Sequence, residues 1–346
     1  MYRGEYSLIG SELSMFTRKL EAQLCFQKIP FKWRMKTAAD TEAIQQRGGT
    51  RFIPLLETPD GWMIHDTIAV GPMLNDRFSE VPVIPTTPTL RTLCFVLEDY
   101  YNHWLPRHAL HSRWCYEDNV KVAGRGFGMN IVLGKSIEAE LTAEEEKQVA
   151  EMGSFMRDSF GLFACGVQGA GVDQKEAVIA DFQVMMTQLA NHFSEHAFLL
   201  GDRPCLADFA LAGTAKAHFL VDPEPRSWLK DNENMLEDYV ARVFNSDHNG
   251  LSWNEGDKVP ETLLPILEHA IKNYQAFALN SIKAAANGEK EFKLDLGYGE
   301  FTARSMKRLD KSRLHVQDEI NRCNGWETEL KDLGILSLYE HPAFIK

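Results

Sequence analysis

The chain has 346 residues, 44% of them hydrophobic, and carries 49 acidic against 37 basic residues for a formal net charge of -12. That length exceeds what one compact core usually holds and favours two domains, while the acidic balance excludes the basic footprint that nucleic acid or an anionic membrane surface requires. No apolar run approaches the roughly 20 residues of a membrane helix, and the stretch from Met1 to Leu8 has no apolar segment after a basic region, so a cytoplasmic protein is expected. The six cysteines (Cys25, Cys94, Cys115, Cys165, Cys205 and Cys323) are scattered without Cys-x-x-Cys or metal-type spacing and read as reduced thiols, mostly small buried hydrophobes.

In chain order, Tyr6-Ser7-Leu8-Ile9 reads as a buried strand, and Phe16, Leu20 and Leu24 form an apolar stripe at helical spacing. Phe31 to Met35 alternates as a half-buried strand does, which completes a βαβ unit. After a polar stretch through Gln45 and Gln46, Phe52-Ile53-Pro54-Leu55-Leu56 and Trp62-Met63-Ile64 flank the turn Thr58-Pro59-Asp60-Gly61 and make a hairpin carrying a proline. A cis bond between Ile53 and Pro54, opening the third strand of a thioredoxin-type sheet, accounts for that proline. Ser79 to Leu90 holds Pro82, Pro85 and Pro88 and reads as an extended linker.

Beyond the linker, helices are expected. One runs from Leu90 to about Pro106; capping-box patterns at Thr142 and Asp173 start two more, ending near Phe160 and His192; another runs from Pro204 to Leu220. The region from Pro260 to about Ala286 and the tail from Ser305 to Cys323 are also helix-like, with a small hairpin near 291–303 between them. Gly124-Arg125-Gly126-Phe127-Gly128 lacks the spacing and the preceding strand of a dinucleotide loop and reads as a flexible loop.

Three segments carry a family resemblance. Gly10-Ser11-Glu12-Leu13-Ser14-Met15-Phe16-Thr17-Arg18-Lys19-Leu20 resembles the start of the first helix of many glutathione transferases, with Met15 in place of their usual proline. Phe52 to Gly61 is similar to their Val-Pro-x-Leu…Asp-Gly segment, with Asp66-Thr67 where the family has Glu/Asp-Ser. Phe198-Leu199-Leu200-Gly201-Asp202-Arg203-Pro204-Cys205-Leu206-Ala207-Asp208-Phe209 looks like the signature of their helical domain, with Cys205 replacing Ser or Thr. Leu97-Glu98-Asp99-Tyr100, Trp104 and Arg113-Trp114 also resemble a bacterial branch of unassigned transferase-like proteins, and the last 120 or so residues exceed an ordinary member of the family.

The resemblance implies an α+β, thioredoxin-like glutathione-binding domain at 1–80, a linker at 81–90 and an all-α domain with an extension at 91–346. It implies a homodimer that takes glutathione as substrate, needs no metal, and transfers the thiolate to a small hydrophobic electrophile. A free thiol is only a few per cent ionised near neutrality, so such a protein has to stabilise sulfur anion. Ser14, at a helix N-terminus, is the expected thiolate donor, with Ser11 as the fallback. Ile53 and Pro54 would present backbone to the cysteinyl part, and Asp66 and Thr67 would hold the γ-glutamyl end. Tyr100, Tyr101, Trp104, His108 and Trp114 would line the wall facing the sulfur.

Gly71-Pro72 departs from the family and suggests a kinked third helix, and Cys205 should be a weaker cap than serine. The competing expectation is a binding or scaffold protein that kept this fold without its chemistry. A glutathione-dependent thiol reductase would need cysteine where Ser14 stands. His192-Phe193-Ser194-Glu195-His196 matches a zinc-peptidase pattern without an evident third ligand.

Overall fold

The computed structural model describes residues 4–345. Its N-terminal part is a thioredoxin-like arrangement: β1 (Tyr6–Gly10), α1 (Met15–Phe26), β2 (Phe31–Met35), α2 (Thr41–Gly48), β3 (Leu55–Glu57), β4 (Met63–His65) and α3 (Thr67–Arg77). The sheet order is β2-β1-β3-β4, with β1 parallel to β2 and antiparallel to β3. β1 is buried along its whole length, as expected of an apolar run covered on both faces. Tyr6, Leu8 and Leu56 pack with Leu20 and Leu24 of α1 and Val70 and Leu74 of α3, whereas Ile9 and Leu55 meet Ile44 of α2 on the other side. The sequence reading passed over α2 because its segment buries only Ile44 and Gly48 and carries no apolar stripe.

The helical part begins with α4 (Pro88–Trp114), which runs eight residues past Pro106, where it was expected to end. Proline removes one ladder bond, yet the helix on either side of it is held from outside. Trp104 donates to Asp181, and Arg107 donates to the carbonyls of Gln168 and Gly169. Next come α5 (Glu117–Gly128), α6 (Ala143–Val149), α7 (Met152–Met156) and α8 (Leu162–Val167). The capping box at Thr142 forms with Glu145, but the single helix expected to run from it to about Phe160 is broken into α6 and α7, followed by a π-helical turn at Arg157–Gly161.

The expected loop at 124–128 is instead helical. A β-carbon on Gly124 would lie 2.1 Å from Cα of Gly153, and one on Gly128 would lie 2.6 Å from Cβ of Val149. These glycines serve close helix packing, and their low helix propensity masked that role in the sequence.

Then follow α9 (Lys175–Phe193), α10 (Leu206–Thr214), α11 (Pro223–Leu229), α12 (Glu233–Asn245), α13 (Leu264–His269) and α14 (Ala276–Ala286). The cap of α9 is Gln174 rather than the expected box at Asp173. At α10, Cys205 makes a complete capping box with Asp208, so the substitution of sulfur leaves the motif intact. The hairpin β5 (Glu291–Asp295) and β6 (Glu300–Arg304), then α15 (Lys307–Cys323) and α16 (Thr328–Asp332), close the chain back onto α4. Among the described residues no helix is long and apolar enough to cross a membrane.

Gly124→Ala is expected to cost roughly 1–3 kcal/mol by overpacking. Gly166→Ala, within α8 and facing open space, should gain up to about 1 kcal/mol from helix propensity. Urea unfolding of the two variants checks the opposite signs.

Candidate functional site

The strand register brings the sequence-expected glutathione residues to one end of the sheet. β1 ends at Gly10, and its loop leads to Ser14, the N-cap of α1. Ile9 pairs with Leu55, so antiparallel β3 starts, just after Pro54, at that same end. Leu55 pairs in turn with His65, which places Asp66 and the N-terminus of α3 beside it. The Ile53–Pro54 bond is cis. The pairing of β1 with β3 stops at Leu55, which leaves the Ile53 backbone beyond the ladder, while its side chain packs with Ile9 and Ile44.

The two candidate serines differ in what their hydroxyls already do. Ser11 is buried, donates to Asn130 Oδ1 at 2.7 Å and accepts from the Leu13 N–H, so it is committed to holding the loop. Ser14 is half-buried and accepts from the Thr17 N–H at 3.3 Å, a capping contact that uses its oxygen and leaves its proton for a ligand. The loop between them is braced from the helical part. Glu12 accepts from the Ile137 N–H at 2.7 Å and from Ser136, and Arg113 donates to the Leu13 carbonyl at 2.7 Å.

At the second anchor, Asp66 is exposed and caps α3 through the Ile68 N–H, with φ 74°. Thr67 differs from expectation: it is buried, and its hydroxyl oxygen faces Lys19 Nζ at 3.5 Å. It therefore offers the site chiefly its backbone N–H at the helix start. Lys19 also donates to Glu98 at 2.5 Å and to Asn102 at 3.1 Å, joining α1 to α4 in the interior. Burial pushes the Glu98 carboxyl above its ordinary range, against the pull of the Lys19 ammonium. α3 continues through Gly71-Pro72, and the Gly71 carbonyl accepts from Gln23.

The five residues expected to line the electrophile wall lie elsewhere. Tyr100, Tyr101, Trp104, His108 and Trp114 are 0–2% exposed, inside the helical core. Trp104 and His108 both donate to Asp181, whose other oxygen accepts from His269; His269 in turn accepts from the Tyr100 hydroxyl at 2.8 Å. These neighbouring donors hold the Asp181 carboxyl well below the usual range despite its burial. Trp114 stacks on Phe127. The extension supplies His269 and packs Phe277 against Trp104, so rings that the family resemblance placed on a cavity wall are core here.

Sequence reading missed Lys36 and Arg51, which the fold brings to the same sheet end. The Lys36 N–H donates to the Gly10 carbonyl, and its ammonium donates to the Arg51 carbonyl. Burial, followed by Arg51, lowers the Lys36 ammonium below its ordinary value. The signal available was a basic residue directly after β2. His192 is bonded to Thr262 and the Phe198 carbonyl, and no metal-binding cluster is found among the described residues.

Residues 162–247 match the glutathione S-transferase, C-terminal domain family. Residues 162–247 are thus similar to the C-terminal domain of glutathione S-transferases. Within that domain Asp208 is the buried hub: it accepts from the Leu199 and Cys205 N–H groups and from the Tyr239 hydroxyl. The chain is also similar to a glutathione S-transferase from Methylobacterium radiotolerans in complex with glutathione sulfonate, at 15% identity over 73% of this chain and 97% of that one, with a TM-score of 0.40. A glutathione S-transferase from Methylobacillus flagellatus with glutathione bound is 17% identical over 70% and 96%, with a TM-score of 0.42. A Tau class glutathione S-transferase from mango is 12% identical over 78% and 99%, with a TM-score of 0.38. No curated protein matches the sequence.

Glu98→Gln is expected to destabilise the fold by about 3–5 kcal/mol, since it strands the Lys19 ammonium, only 4% exposed, without a counter-ion. The double substitution Lys19→Met with Glu98→Leu should recover most of that loss in urea unfolding.

Proposed function

We propose that this protein binds glutathione across the end of its sheet, stabilises the thiolate with Ser14 and transfers it to a hydrophobic electrophile. The observation that carries this reading is the register itself, which gathers the Ser14 cap, the Ile53–Pro54 backbone and the Asp66 cap at one edge. In this reading residues 1–80 form the glutathione domain and 91–346 the helical domain. The γ-glutamyl ammonium meets the Asp66 carboxylate, and the γ-glutamyl carboxylate meets the first N–H groups of α3. The cysteinyl unit adds to the Ile53 backbone as an extra strand would. The glycyl carboxylate then falls on the β2 side, toward Lys36 and Arg51.

Thiolate formation is the step the protein accelerates. A hydroxyl donor together with the positive end of α1 stabilises sulfur anion, and each pKa unit of that stabilisation represents about 1.4 kcal/mol. A second reading, binding without conjugation, is favoured by the burial of all five aromatic and histidine side chains expected on the electrophile wall.

Ser14→Ala should raise the pKa of bound glutathione by roughly one to two units and slow conjugation roughly tenfold to a hundredfold at neutral pH, with little change in affinity. Ultraviolet titration of the bound thiolate measures the first effect. Wild type that binds glutathione without depressing its pKa would instead establish the binding-only reading. Asp66→Ala should weaken affinity by calorimetry while leaving the rate of bound substrate nearly unchanged, because its contact is the same in ground and transition states.

A further inference from the structure

Two cysteines that lie 50 positions apart in the sequence meet at the far end of α4. Cys115 caps the C-terminus of that helix and is half-buried; Cys165 lies in α8 and is fully buried; their sulfurs are 3.9 Å apart. His111, one turn earlier on α4, donates from Nδ1 to the Ala170 carbonyl and lies beside the pair. No other cysteine combines a thiol partner with solvent access. Cys94 and Cys205 are neighbours but both 0% exposed, and Cys25 and Cys323 have no second sulfur beside them among the described residues. α8 is short, six residues, and exposes Leu162 and Phe163.

We infer that Cys115 and Cys165 form a dithiol that a small disulfide such as glutathione disulfide converts to an intramolecular disulfide, at a site separate from Ser14. The half-exposed Cys115 is the attacking group. The Cys165 S–H and His111 lower its thiol below the ordinary cysteine value, so it is the first of the pair to ionise. The Cys115 thiolate attacks one sulfur of glutathione disulfide; that S–S bond breaks, and one glutathione leaves as thiolate and takes up the proton Cys115 released. Cys165 then loses its proton, attacks Cys115 Sγ in the mixed disulfide and expels the second glutathione. Two protein thiols are oxidised and one glutathione disulfide is reduced to two glutathiones. Closing the bond brings the sulfurs to about 2.05 Å.

The test is to incubate the reduced full-length chain with glutathione disulfide, quench with an alkylating agent after denaturation, and map peptides without reduction. Wild type should lose two of its six alkylatable thiols and yield one cross-linked peptide pair containing Cys115 and Cys165. Cys165→Ser should stop at a glutathione mixed disulfide on Cys115, and Cys115→Ser should keep every remaining thiol. Ser14→Ala should behave as wild type, which separates this outcome from the fate of the transferase reading. The inference is overturned if wild type keeps all its thiols, stops at a mixed disulfide, or links Cys94 to Cys205.

Discussion

A charged group inside a protein core is tolerated only if it finds partners, because desolvation costs more than a weak pairing returns. Helix α4 is enclosed along nearly its whole length and carries four such groups. Glu98 takes Lys19 from α1. Asp99 accepts from Tyr274, Ser312 and Tyr339, all contributed by the C-terminal part of the chain. Arg107 holds the carbonyls before α9, and Arg113 holds Asp222 and the Ala217 and Leu13 carbonyls. Each satisfied charge therefore fixes a different segment against one rod.

The candidate site inherits its rigidity from that arrangement. The loop between β1 and α1 has no regular structure of its own, yet it is tied from two directions. Arg113 binds its Leu13 carbonyl, while Asn130 and the 136–137 segment bind Ser11 and Glu12. Gly126 of α5 approaches so closely that a β-carbon there would meet Leu13 Cδ1 at 2.7 Å. Ser14 emerges from this brace with only a capping contact. The same loop thus presents one hydroxyl committed to structure and one available for chemistry, a distinction that depends on residues more than a hundred positions away.

The C-terminal extension explains why the aromatic segment of α4 is core rather than cavity. His269 and Tyr274 approach Tyr100, and Phe277 packs on Trp104. Asp99 is pushed toward its protonated form by burial and drawn back by three hydroxyl donors, so its environment is complete only when the tail is in place. The extension is therefore an integral part of the helical core, joined through polar contacts that an apolar pattern does not reveal.

The sequence by itself determined the local elements whose period and punctuation are strong. It specified the βαβ opening, the proline-bearing hairpin, the capping box at Thr142, and the small hairpin near 291–303. It also determined which residues could cap α1 and α3, because Ser14 and Asp66 stand directly before helical stripes. Tertiary structure alone decided which serine keeps a free proton, that Thr67 turns inward, that α4 survives Pro106, and that glycines 124 to 128 form a packing surface. It alone also brought Cys115 to Cys165. The physical reason is common to all of these: each depends on a partner distant in the chain, and side-chain period reports which face is apolar but not what will cover it.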